Sequence, residues 1–148
     1  GRGAARADAA QDANPGGRSV SEHAFQSRLL LALSKVPGVR AWRQNVGTVR
    51  TADNRFFRAG PPKGAADISG IIGPEGWCLQ IECKAKGKDR SPAQEAWGAA
   101  MTALGGVYLV AHESVGVEGT IERLRLILEI RRHPRTAQST DDMLRSGL

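Results

Sequence analysis

The sequence predicts an α/β fold, a mixed central β-sheet flanked by helices. Three observations carry that expectation: a strand-turn-strand run from Asp67 to Lys84, a helix followed by an apolar strand between Pro92 and Ala111, and a first helix with a single apolar stripe. Strand, helix and strand in succession favour a parallel pair. The tight turn inside the first run favours an antiparallel one.

Taken in order, residues 1–18 are rich in Gly, Ala and charge without apolar periodicity, and are expected to be a flexible leader. One folded domain is expected over 19–133 and a polar tail, loosely ordered or serving as an assembly arm, over 134–148. Ser19 to about Lys35 reads as a helix with Phe25, Leu29, Ala32, Leu33 and Val36 on its inner stripe, stopped by Pro37-Gly38. Val39 to Asn45 and Arg55 to Ala59 are candidate strands, and a Gly- and Pro-rich loop leads from them to Asp67.

Asp67 to Ile72 reads as a short buried strand, Gly73-Pro74-Glu75-Gly76 as a turn, and Trp77 to Lys84 as the returning strand. Pro92 to Leu104 follows as a helix whose Ala93, Trp97, Ala100, Met101 and Leu104 share a face, with Gln94 at its edge. Gly105-Gly106 ends it, Val107 to Ala111 is an apolar strand, and Thr120 to Ile130 reads as the last helix.

The hairpin carries the chemistry. Side chains on a strand alternate faces, so Glu82 and Lys84 share one face while Trp77, Leu79, Ile81 and Cys83 turn to the core. Pairing around the turn brings Asp67 to the end of the returning strand, near both charges. Two neighbouring carboxylates repel unless a cation sits between them, which makes a divalent metal the natural occupant. Hard oxygen ligands favour Mg2+ or Mn2+, held by Asp67, Glu82 and the backbone carbonyl of Cys83. Such a site would polarise a phosphodiester and activate a water, with Lys84 orienting or deprotonating that water, or acting only as an electrostatic anchor. The plainer alternative is that Asp67 caps a turn and Glu82 and Lys84 form an ordinary cross-strand charge pattern.

Gly64-Ala65-Ala66-Asp67-Ile68, Gly70, Glu82-Cys83-Lys84, Ser91-Pro92-Ala93-Gln94 and Gly105-Gly106-Val107-Tyr108 form an ordered series. The series resembles the VRR-NUC branch of the PD-(D/E)xK nucleases, found in stand-alone phage and bacterial proteins and at the end of the Fanconi-anaemia-associated nuclease. It covers roughly Ser19 to Ala111, and departs from the family pattern where Ala66 replaces the usual proline before the aspartate. The resemblance implies that 19–133 is a nuclease domain with a restriction-endonuclease-like core. It also implies an active-site glutamine at Gln94 and a glutamate on the first helix near the metal, acting through water, at Glu22. Gln44-Asn45 with Gly47 becomes a polar turn close to a bound strand.

Local physics offers a second role for two of these residues. Ser19-Val20-Ser21-Glu22 fits a capping box, and so does Ser91-Pro92-Ala93-Gln94. Against a purely local role for Glu22, it precedes Phe25 and Leu29 by three and seven residues, which places it on the apolar stripe.

Composition points to a polyanionic partner. The chain has 148 residues, enough for one core, with 21 basic against 15 acidic residues, a net charge of +6. Arg40, Arg43, Arg50, Arg55, Arg58 and Lys63 meet only Asp53 in the stretch that leads into Asp67, and Lys84, Lys86, Lys88 and Arg90 follow. Arg43, Arg50, Arg55, Arg58, Lys63, Lys86 and Lys88 are therefore the expected DNA contacts, made to phosphates rather than to bases, and the resemblance adds Gln44 and Asn45. Nothing resembles a sequence-reading module. Cys78 and Cys83, on opposite faces of one strand, cannot bridge without distortion, and no zinc spacing is evident. No run approaches a membrane span and no secretory signal is visible, so a soluble protein of the cytoplasm, bacterial or phage-infected, is expected.

The sequence thus leads to the expectation of a Mg2+- or Mn2+-dependent, structure-selective DNA endonuclease acting on branched DNA. The resemblance implies a homodimer resolving four-way junctions, with Trp42, Phe56, Phe57 and the last helix as interface candidates that would serve equally as core. A flap, nick or single-strand nuclease with the same site is the alternative, and a non-catalytic binding module of the same fold is the alternative of a different class.

Overall fold

The computed structural model describes residues 20–45 and 47–134. The expected leader, the Ser19 cap and nearly all of the polar tail lie outside them. The elements run α1 (Val20–Leu33), β1 (Val39–Arg43), β2 (Gly47–Arg50), β3 (Phe56–Ala59), β4 (Ile68–Ile72), β5 (Trp77–Lys84), α2 (Pro92–Ala103), β6 (Val107–His112) and α3 (Gly116–Arg132). Four strands form one sheet in the order β1-β4-β5-β6, and β2 and β3 form a separate two-stranded ribbon. Only the β5–β6 pair is parallel; β1–β4 and β4–β5 are antiparallel. The chain is thus α/β with a mixed open sheet flanked by helices.

Alternation along the strands divides the sheet into two unlike faces. Ile68 and Ile72 of β4, Leu79, Ile81 and Cys83 of β5, and Val107, Leu109 and Ala111 of β6 are buried together on one face. Phe25, Leu29 and Leu33 of α1 and Ile121, Leu124 and Leu128 of α3 cover them. Each of the larger side chains contributes roughly 1.5–3 kcal/mol when buried. The other face carries Ser69, Gln80, Glu82, Lys84 and Tyr108, and α2 lies over it.

The second face explains why α2 departs from its expected packing. Its expected face is buried only in part: Ala93, Trp97 and Met101 are half-buried, Ala100 is exposed, Leu104 is 80% exposed, and Gly98 is the buried residue of the helix. The surface beneath α2 is polar, so the helix is held by bonds and by close approach. A Cβ at Gly98 would stand 2.6 Å from the Tyr108 ring, a clash that only glycine avoids.

Three further boundaries differ from expectation. Gly47, expected in a polar turn with Gln44-Asn45, instead opens the strand Gly47–Arg50, which pairs with β3 across the turn at Thr51-Ala52-Asp53-Asn54. In that turn Asn54 adopts a positive φ of 68° and the Thr51 amide donates to the Arg55 carbonyl at 2.8 Å. Helix α3 begins at Gly116, a turn before Thr120, and α1 ends at Leu33. Phe56 and Phe57 are 74% and 62% exposed and Trp42 is exposed as well, so none of them belongs to the core. At the far end of the β4–β5 hairpin, Arg132 of α3 donates to Glu75 at 2.6 Å and holds that carboxyl below its ordinary 4.5.

Candidate active site

Register assembles the site. Ile68 pairs with Ile81, so the residue before β4, Asp67, comes alongside Glu82 on the face under α2. Asp67 and Glu82 are 5% and 1% exposed. The Cys83 amide donates to Asp67 Oδ2 at 2.9 Å, and the Gln44 amide donates to the Asp67 carbonyl oxygen at 2.8 Å, which fixes the aspartate at the mouth of the hairpin.

Gln94 ties α2 to β5. Lys84 Nζ lies 3.0 Å from Glu82 Oε1 and donates to Gln94 Oε1 at 2.8 Å, while Gln94 Nε2 donates to Glu82 Oε1 at 2.5 Å. The same Gln94 Oε1 accepts from the Ser91 amide at 2.8 Å, and Ser91 Oγ accepts from the Gln94 amide at 3.3 Å. The capping box and the polar site are therefore one arrangement, and the two roles that the sequence leaves open for Gln94 coexist. A helix start that must satisfy its own amides supplies a fixed carboxamide to the neighbouring strand.

Tyr108 completes the ring of groups. Its hydroxyl lies 3.4 Å from the Gln94 carbonyl oxygen, and the Arg90 guanidinium stands 5.9 Å from its ring centroid. Burial pushes its phenol above the ordinary 10.0, and the charges of Glu82 and Asp67 push the same way, against the Arg90 hydrogen bond and charge. A neutral phenol beside two carboxylates is a donor. The sequence offers Tyr108 as part of a motif with no role attached, and the β5–β6 register that brings it opposite Gln80 gives no local signal.

A polar network supports the same face from within. Gln44 and Gln80 side chains both donate to Ser69 Oγ at 2.7 Å, and Trp97 donates to Gln80 Oε1 at 3.1 Å. These bonds link the end of β1 with β4, β5 and α2. Gln44 is thereby held inside the fold, while Asn45 is exposed.

The remaining expected residues lie on α1, at the end of β1, on the ribbon and on loops. Glu22 is half-buried in the first turn of α1, the helix that packs on the apolar face, and Gln26 one turn later is wholly buried. Arg43 points to α1, donating to Ser27 Oγ at 2.9 Å and standing 2.6 Å from His23 Nε2, so it clamps strand to helix. Arg50 and Arg55 are exposed on the ribbon, and Lys63, Lys86 and Lys88 are exposed on loops. The side chain of Arg58 lies outside the described residues. Among the described residues no group of three or more His, Cys, Asp or Glu side chains is gathered for a metal ion. The donors on offer at the hairpin are two hard carboxylates with main-chain oxygens nearby, a set that suits Mg2+ or Mn2+ better than a soft metal. Neither cysteine forms a disulfide; Cys83 is buried and Cys78 exposed.

Among the described residues no helix is long and apolar enough to cross a membrane. Comparison of the chain with protein-family models, with curated proteins and with solved structures gave no match.

Proposed function

We propose that the chain is a Mg2+- or Mn2+-dependent DNA endonuclease with a PD-(D/E)xK core, selective for branched DNA and for four-way junctions above other branches. The observation that carries the proposal is the joining of Asp67, Glu82, Lys84 and Gln94 on one face of the β4–β5 hairpin, with Lys84, Gln94 and Glu82 linked at 2.5–3.0 Å. Buried charged groups are costly unless they are paired or used, and here they gather at a strand end beside two basic segments.

Asp67 and Glu82 would hold the cation, with the Cys83 carbonyl and, through water, Glu22. The cation would supply charge neutralisation at the scissile phosphate and a more acidic water. Lys84, 3.0 Å from Glu82, can orient the attacking water and offset the charge that develops at the phosphate. Gln94 fixes the Lys84 ammonium and the Glu82 carboxylate at once, so the pair loses little rotamer freedom when substrate arrives. Tyr108 can donate from its neutral hydroxyl. Lys63, Lys86 and Lys88 provide the phosphate contacts that draw DNA to this face.

A second proposal has one observation in its favour. The Lys84–Glu82 ion pair satisfies a buried carboxylate without a metal, as it would in a binding module that keeps the fold and not the activity. Cleavage of labelled four-way junction, 5′ flap, 3′ flap, single strand and linear duplex in Mg2+, Mn2+ and EDTA separates the two. Metal-dependent symmetric cutting of the junction supports the resolving enzyme. Flap cutting alone keeps the site and changes the substrate, and binding without cutting in either metal favours the module.

A further inference from the structure

The β2–β3 ribbon is unlike the rest of the molecule. It stands outside the four-stranded sheet, and every described side chain from Gly47 to Phe57 is exposed. An isolated two-stranded ribbon is marginal in water, and exposing two phenyl rings on it adds to that cost. The turn is nevertheless well held: Thr51 Oγ1 donates to Asp53 and to the Arg55 carbonyl, the latter at 2.9 Å, and Arg55 pairs with Asp53 at 2.5 Å. Such a built and exposed element has a use for its surface.

Its two legs start at the candidate active site. The rising leg leaves Gln44, whose amide is bonded to the Asp67 carbonyl at 2.8 Å. The descending leg passes Gly64, where a Cβ would run into the Ala93 carbonyl oxygen in the first turn of α2. At about 3.3 Å per residue, the strands and turn extend roughly 15 Å beyond Gly47 and Ala59. Phe56 and Phe57 are consecutive strand residues and so turn to opposite faces of the ribbon. Arg50, paired with Phe56, has its guanidinium 5.9 Å from that ring. The one acid of the ribbon, Asp53, is committed to Arg55, which leaves the surface positive.

We infer that the ribbon is a wedge for branched DNA: Phe56 and Phe57 stack on unpaired bases of the two strands that part at a branch, and Arg50 holds an adjoining phosphate. One ring on each face suits two diverging strands, and base stacking on aromatic rings is tolerant of sequence. The wedge would set which phosphodiester lies at Asp67. This inference rests on the proposed nuclease function for its substrate, but makes a claim about binding that does not need cutting.

The test compares a forked DNA with a fully paired duplex of equal length, measured by fluorescence anisotropy in EDTA. The wild-type chain should prefer the fork by about tenfold or more, the size of effect that stacked bases supply. F56A/F57A should bring the two affinities within about twofold, and F56W/F57W should keep the preference. R50Q should weaken both DNAs equally and reduce the salt slope by about 0.9. Equal wild-type affinity for fork and duplex, or a preference that survives F56A/F57A, overturns the wedge. A fall in sedimenting mass of F56A/F57A with fork preference intact would assign the rings to a second copy of the chain and overturn it too. Fork preference that follows the rings while no metal supports cleavage would sink the nuclease proposal and leave the wedge standing. Junction cleavage with no fork preference would do the reverse.

Discussion

The two faces of the central sheet are made from alternate residues of the same strands, yet they are held by different physics. Under α1 and α3 the residues are Ile, Leu, Val, Ala and Cys, whose side chains pack by shape and volume. Under α2 they are Ser69, Gln80, Glu82, Lys84 and Tyr108, joined by bonds of 2.5–3.4 Å to Gln44, Trp97 and Gln94. The apolar face supplies stability that depends on how well it is filled. The polar face gives up some of that stability to hold charged groups in fixed positions away from water.

The comparison predicts a graded response to substitution. Leu79→Ala, at a fully buried position of the apolar face, should cost about 2–5 kcal/mol in chemical denaturation while leaving any residual folded protein active. Gly98→Ala forces a methyl to 2.6 Å from the Tyr108 ring and should cost about 1–3 kcal/mol, with the loss felt in the α2–Tyr108 contact. If Gly98→Ala is as stable as wild type, α2 can lift from the polar face at no cost and close approach does not hold it there.

Gln94→Ala sharpens the contrast, since it removes one bond to Lys84, one to Glu82 and the return half of the capping box. Its stability cost should be about 1–3 kcal/mol, whereas cleavage should fall by roughly 10–100-fold. Equal small losses in both would make Gln94 a helix cap and nothing more.

The smallest effect is spectroscopic. Tyr108 is the single tyrosine of the chain, so absorbance titration of tyrosinate reads it alone. Its midpoint in the folded protein should lie above 10.0, because burial and the nearby carboxylates oppose the phenolate. The neutral phenol contributes fully to folding below the unfolded value and loses that contribution as the pH rises from there through the folded one. A midpoint at or below 10.0 would show that the phenol is solvated and not held beside the carboxylates.

Legibility in the sequence followed the range of the interactions. The β4–β5 hairpin and its facing were readable because Gly73 to Gly76 marks the turn and Trp77 to Lys84 alternates. The Ser91–Gln94 capping box was readable because its partners are three residues apart. The roles of Tyr108 and Arg90 and the Gln44-Ser69-Gln80-Trp97 network were not, since each depends on pairing between distant elements. The partial burial of the α2 face was hidden for a related reason: its apolar positions imply a stripe, but the polarity of the surface beneath decides how much of that stripe is buried. The basic residues between Arg40 and Lys63 look uniform in sequence and divide in space, Arg43 clamping α1 and Arg50 and Arg55 standing on the ribbon.

The most direct test of the central claim is the cleavage rate of Glu82→Gln on a four-way junction in Mn2+, with junction affinity measured alongside in EDTA. If Glu82 is the metal ligand proposed above, its loss should lower the rate by about 1,000-fold or more and leave affinity within a few fold, because such a carboxylate would serve the reaction and not the grip on DNA. Wild-type cutting by Glu82→Gln would show that the chemistry lies elsewhere in the molecule.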